Sequence, residues 1–269
     1  MRNPPHTGTP TGGVAVLRIQ TLGGFRVWRD GVEIEPGAWR REKALHLFQF
    51  LVTARGKYLH KEQIIDRLWP ELDGETGDRD FRVALNAVNK AIEPERRPRA
   101  EPRFIRRYGL TYGLNVEEIE VDADDFEDQV TAGNRALPNE AETAIAHYQS
   151  ALALYGGSYL PERRYEDWIS AERERLQLLV LTTMATLAEL MLERSPPESI
   201  RLAQLVLTID PVWESAYRVQ MRAYIAQGNR PLALRTYRQC RRVLEEEFGV
   251  DPLPETKALY RRITDQERG

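Results

Sequence analysis

The 269-residue chain has one cysteine, Cys240, so it can form no intramolecular disulfide and build no cysteine-rich metal cluster. Its four histidines (His6, His46, His60 and His147) are scattered, and none pairs with carboxylates at metal-ligand spacing. GxGxxG and the GxxxxGKS/T phosphate loop are both missing, as is a nucleophile elbow, which removes the usual routes to nucleotide turnover and hydrolysis. No apolar run approaches a membrane span. The longest, Leu176 to Leu192, is broken by Gln177, Thr182, Thr183, Thr186 and Glu189. Residues 1–13 lack the apolar core of a secretory signal and are rich in Pro, Gly and Thr, so they are expected to form a disordered leader. These absences predict a cytoplasmic, non-enzymatic chain with no catalytic residues, no cofactor, no metal site and no membrane partner.

What is present divides in two. The length suits roughly two domains, and 42% of residues are apolar, enough for a sizeable core. The net charge of −3 hides an asymmetry. Residues 14–116 hold 19 Lys+Arg against 14 Asp+Glu, and residues 117–269 hold 18 against 27. A mildly basic half joined to an acidic half fits a nucleic-acid-binding domain followed by a protein-contacting one.

The first half centres on the stretch DRDFRVALNAVNKAI, Asp78 to Ile92. Phe81, Ala84, Leu85, Val88 and Ile92 recur at helical spacing and predict one buried stripe. Arg79, Arg82, Val83, Asn86 and Lys90 fall opposite, with Asn89 at the flank and Asp80 the only acid at the edge. Arg and Asn match the donor and acceptor patterns of guanine and adenine in the major groove, and Val83 offers an apolar contact for a thymine methyl. The same pattern also describes an ordinary solvated helix face, so its surroundings decide.

Upstream, Val16, Leu17, Ile19, Leu22, Phe25 and Val27 and the turn Arg29-Asp30-Gly31 predict a small antiparallel sheet. A helix is expected from Trp39 to Ala54, with Arg40, Arg41 and Lys43 in its first turn. Cations there oppose the macrodipole and fit a nearby phosphate backbone. A second helix, His60 to Trp69, is closed by Pro70, and an acidic, glycine-containing link, Glu71 to Gly77, leads to the central helix. Downstream, Pro94, Pro98 and Pro102 forbid helix amid clustered arginines, and Phe104 to Leu114 reads as a β-hairpin. Arg103, Arg106, Arg107 and Tyr108 would make that hairpin a DNA-contacting wing.

Taken together, LRIQTLGGFRVWRDGVEIE, KALHLFQFLV, EQIIDRLWP, FRVALNAVNKAI and FIRRYGLTYGLN resemble the winged-helix DNA-binding domain of the OmpR/PhoB type. The LGGF opening and the LWP ending are most similar to those of the Streptomyces antibiotic regulatory proteins. The chain departs from that pattern at Val88-Asn89, where the family usually has Leu-Arg, so no base contact is carried over to Asn89.

The second half is acidic and helical, with an internal repeat. Ala144, Tyr148 and Ala151 are echoed by Ser199, Ala203 and Val206, and again by Ala233, Tyr237 and Cys240; Ser199 and Ala233 lie 34 residues apart. That period is the tetratricopeptide one, and small residues there let paired helices approach closely. Pro211 and Pro252 would end the second helix of each pair. Cys240 takes a small-residue position and reads as packing. Tyr155, Tyr159, Tyr165 and Trp168, near Arg163 and Arg164, read as packing between the first repeat and the next long helix, or else as a partner surface. The segment from VDADDFEDQV to YRQCRRVLEEEFGVDPLPE resembles the bacterial transcriptional activator domain.

The expected architecture is therefore mainly α with small β. A leader at 1–13 precedes a winged helix-turn-helix domain at 14–116 and an all-α tetratricopeptide-like domain at 117–269. The resemblance implies a transcriptional activator that binds double-stranded DNA at direct repeats, associates with itself on DNA and recruits RNA polymerase through its sigma factor. The competing reading is a tetratricopeptide-type interaction scaffold whose winged helix does not bind DNA.

Overall fold

The computed structural model describes residues 17–265. The leader expected at 1–13 lies outside them. The described residues form two compact units. The first covers the described residues through Asp124 and takes back Gly157–Arg173; the second covers Asp125–Gly156 and the described residues from Glu174 on.

In the first unit, β1 (Leu17–Gln20), β2 (Arg26–Arg29) and β3 (Val32–Glu33) form the expected antiparallel sheet. Asp30 and Gly31 both have positive φ, 52° and 79°, as a two-residue hairpin turn requires. A 3-10 turn, Pro36–Trp39, precedes α1 (Glu42–Thr53), which is followed by β4 (Leu59–His60) and α2 (Lys61–Leu68). His60 caps α2 through a capping box with Gln63. Next come α3 (Gly74–Ile92) and the hairpin β5 (Ile105–Tyr108) and β6 (Thr111–Leu114). Leu47, Phe48 and Leu51 of α1 and Phe81, Val88 and Ile92 of α3 are fully buried in one core, with Trp39 stacked on Phe48 at 5.3 Å.

Several boundaries differ from the sequence reading. The helix expected from Trp39 begins only at Glu42, because Arg40 adopts φ 56° and breaks the turn before it. Arg40 and Arg41 therefore precede α1 instead of filling its first turn. The link expected at Glu71–Gly77 is largely helix: the Asp73 carboxylate accepts from the Thr76 N–H at 2.8 Å and starts α3 four residues early. Gly77 is a helical residue, and a Cβ there would lie 2.6 Å from Ile65 Cγ2 of α2. Its missing side chain lets α2 and α3 approach.

Two short strands were not anticipated. β4 adds to β6 to complete a three-stranded sheet, and β7 (Ile119–Val121) runs parallel to β1, Leu17 opposite Ile119. The first unit thus continues beyond residue 116. Asp122 fixes this edge: its carboxylate accepts from the Thr21 and Leu22 N–H groups at 2.7 and 3.0 Å. Burial pushes its carboxyl above the usual range, against those hydrogen bonds.

Gly157–Arg173 also packs into this unit. Buried Tyr159 lies with its hydroxyl 3.1 Å from Thr53 Oγ1, and Trp168 meets Phe50 edge-on at 5.2 Å. Buried Gln49 donates to Glu162 and accepts from Arg163. The four aromatics noted together in the sequence thus separate. Tyr159 and Trp168 pack on α1, Tyr155 packs near Phe126 in the second unit at 6.5 Å, and Tyr165 is 91% exposed.

The second unit is helical. α5 (Ala141–Leu154), α7 (Pro196–Ile209), α8 (Glu214–Ala226), α9 (Arg230–Phe248) and α10 (Pro254–Asp265) lie within it, together with most of α4 (Asp122–Ala136) and α6 (Asp167–Leu190). α7 packs on α8, α8 on α9, and α9 on α10. Ser199, Ala203 and Ala233 are fully buried at helix contacts, and the Ser199 hydroxyl donates to the Ala188 carbonyl at 2.6 Å. Pro211 follows α7 and Pro252 follows α9, as the repeat requires. Cys240 is a buried free thiol pushed up to about 12 by burial, which fits packing. No helix among the described residues is long and apolar enough to cross a membrane.

Candidate nucleic-acid interface

α3 sorts its residues by face as its periodicity requires. Phe81, Ala84 and Val88 are buried. Arg79, Arg82, Asn86 and Lys90 are exposed, and Val83 is half-buried beside them. At 100° per residue these five occupy one arc of about 100°. The side chains of Arg79 and Arg82 remain 72% and 71% exposed, so their guanidinium groups can reach a ligand.

This face is electrostatically anchored. Lys61, first residue of α2, places its ammonium 2.7 Å from the Asp78 carboxylate, which also sits 3.2 Å from Arg82 Nη2 one turn along α3. The Lys61 hydrogen bond, then that of Arg82, holds the Asp78 carboxyl below the usual range. Arg79 approaches Asp80 at 3.5 Å. Asn89 does not share the open face. It is buried, its Oδ1 unpartnered, and its neighbours Ala87 and Val88 are buried too.

The hairpin supplies the second element. Its tip is Gly109, at φ 57°, with exposed Leu110. Tyr108 is exposed and meets the Tyr58 ring edge-on at 5.0 Å. Arg107 donates to the Gly109 carbonyl at 2.8 Å and lies over the Tyr112 ring, leaving charge at the tip. Half-buried Arg106 makes no ion pair among the described residues. The backbone N–H of Lys61 donates to the Leu110 carbonyl at 2.8 Å. One residue therefore ties the hairpin tip and, through Asp78, the exposed face of α3.

Two residues expected on the backbone-contacting surface are engaged elsewhere. Lys43 donates to the Leu68 carbonyl at 2.5 Å and lies over the Trp69 ring, so its charge satisfies the C-terminal end of α2. Arg103 is half-buried over Phe104 and paired with Glu118. Arg40 and Arg41 are exposed and make no ion pair among the described residues. Sequence reasoning missed the organising role of Lys61 and the support that Tyr58 gives the wing. The signal for the first was the acid at position 78 on a face otherwise short of acids. Among the described residues no group of three or more His, Cys, Asp or Glu could hold a metal ion.

Comparison with known proteins gives this arrangement a context. The bacterial transcriptional activator domain model matches residues 121–264. The regulatory protein AfsR of Streptomyces coelicolor is 25% identical over 92% of this chain, which spans 24% of that protein. The regulatory protein DnrI of Streptomyces peucetius is 24% identical over 94% of both chains. In fold, the chain is similar to Mycobacterium tuberculosis EmbR in complex with a low affinity phosphopeptide. The TM-score is 0.81 at 21% identity, covering 94% of this chain and 66% of that one. The chain therefore spans about a quarter of AfsR and about two thirds of the EmbR structure. With the family model matching more than half of its length, the chain belongs to the bacterial transcriptional activator domain family.

Proposed function

We propose that this chain is a sequence-specific DNA-binding transcriptional activator. The observation that carries the reading is the exposed row Arg79, Arg82, Asn86 and Lys90 on one face of α3, beside a hairpin whose tip is tied to the same face through Lys61. In this reading α3 enters the major groove, where Arg82 and Arg79 address guanine, Asn86 addresses adenine, and Val83 meets a thymine methyl. Arg40, Arg41, Arg106, Arg107 and Tyr108 contact the backbone and set register. The acidic second unit holds the transcription machinery, with RNA polymerase and its sigma factor as the partner, and copies of the chain associate on neighbouring direct repeats in the cytoplasm. The relatives' names, all of regulators, support the assignment.

The test is selection of genomic fragments by the purified chain beside an Arg82→Ala/Asn86→Ala variant. The expected result is a promoter-proximal repeated motif enriched by the unaltered chain alone. Enrichment by neither protein, at low and moderate salt, would overturn direct DNA binding.

A further inference from the structure

The second unit is acidic overall, yet α9 carries a row of arginines on its exposed face. Arg235, Arg238 and Arg242 stand at i, i+3 and i+7, with Gln239 between them. Together these four line one shallow, open cleft between their own side chains, with no acidic residue in its lining. All four are exposed. Arg242 lies 3.9 Å from Glu246, while Arg235 and Arg238 make no ion pair among the described residues.

Helix stability does not explain this row. Like charges three and four residues apart on one helix face repel. Nor are the arginines spent on packing: the buried side of α9 is made by Ala233, Thr236, Tyr237, Cys240 and Leu244. The helix also places its arginines ahead of Glu245, Glu246 and Glu247, the reverse of the order its dipole favours. Three guanidinium forks and one amide donor over about 10 Å of helix form a surface of donors only, apart from the Gln239 oxygen. Guanidinium matches the paired oxygens of phosphate in bidentate geometry. The acidic last turn of α9 confines the surface to a few phosphates.

We infer that the Arg235–Arg238–Gln239–Arg242 cleft on α9 is a second phosphate-binding site, separate from α3 and the wing. Its phosphates come from a DNA backbone or from a free polyphosphate compound. The DNA form rests on the function proposed above; the free form does not.

The experiment uses the whole chain and an Arg235→Gln/Arg238→Gln/Arg242→Gln variant. Its substitutions are exposed and helix-compatible, so an unchanged thermal melt is expected. The first arm measures duplex affinity against salt. Loss of three phosphate contacts lowers the slope of log K against log salt by about 2.7, at roughly 0.9 per phosphate. The second arm titrates both proteins with inorganic tripolyphosphate by calorimetry. A reduced slope assigns the cleft to DNA. An unchanged slope with tripolyphosphate bound by the unaltered chain only assigns it to a free phosphate compound. Equal slopes and equal tripolyphosphate binding overturn the site. If the unaltered chain binds no duplex, the α3 reading fails and the second arm still decides the cleft. Arg→Lys at all three positions keeps the slope and weakens tripolyphosphate binding at least several-fold if bidentate contacts matter.

Discussion

Lys61 joins α2, the wing and α3: its backbone N–H holds the Leu110 carbonyl at 2.8 Å, and its ammonium holds Asp78 at 2.7 Å. Asp78 in turn reaches Arg82, which stands at one edge of the proposed reading face. Asp78 is thus a positioning residue. Asp78→Asn is expected to reduce discrimination between a bound site and its base-substituted versions by less than Arg82→Ala does, while leaving the melting temperature nearly unchanged. Anisotropy titrations on a matched set of duplexes check this. Because Lys61 and Arg82 hold the Asp78 carboxyl below its usual range, the small part this ion pair adds to fold stability is present above that range and lost as pH falls through the lowered value.

The arginines around the wing should separate into two kinds. Arg106→Ala and Arg107→Ala are each expected to weaken binding to all sequences alike and to lower the salt slope by about 1. Arg103→Ala leaves half-buried Glu118 without its partner and is expected to lower stability by on the order of 1 kcal/mol, with the salt slope unchanged. Salt titrations and thermal melts on the same three proteins test the division.

Gly77 is set by sterics. In Gly77→Ala the new Cβ meets Ile65 Cγ2 at 2.6 Å. Overpacking of this kind costs about 1–3 kcal/mol, offset by up to about 1 kcal/mol of helix propensity. Net destabilisation in urea is expected, and Ile65→Ala should cost less stability in the Gly77→Ala chain than in the unaltered one, because part of the clash goes with it. A stabilised Gly77→Ala chain would contradict the close α2–α3 approach.

His46 makes the first unit sensitive to acid. Burial on α1 lowers its pKa, and nearby Arg163 and Lys43 act in the same direction against Glu166 and Glu42. The unfolded chain therefore binds the proton more readily, and stability is lost as pH falls from about 6.5 through the lowered value. Chemical denaturation from pH 7.5 to 5 should show this fall, and His46→Gln should flatten it.

The legible part of this molecule was its periodic part. The 3.6-residue pattern of Phe81, Ala84 and Val88 located the face of α3, and the 34-residue spacing of Ser199 and Ala233 located the helical repeats. What escaped was decided at long range. β4 and β7 are two and three residues long, too short to alternate, and they are strands only because β6 and β1 lie beside them. Gly77 reads as a linker residue in sequence, and only the packing of Ile65 against it gives its missing side chain a role. Arg103 and Lys43 counted as basic surface in the sequence, yet Glu118 and the Leu68 carbonyl occupy them. Tyr159 joins the first unit through Thr53, 106 residues earlier, a contact no local pattern announces.

In the proposed complex the exposed face of α3 reads bases in the major groove. Methylation interference on a selected duplex tests it most directly, because guanine N7 lies in the major groove and adenine N3 in the minor. N7 methylation at a few guanines is expected to block binding, and Arg82→Ala to lose sensitivity at one of them while the others persist. Interference confined to adenine N3, or an Arg82→Ala pattern identical to that of the unaltered chain, would contradict it.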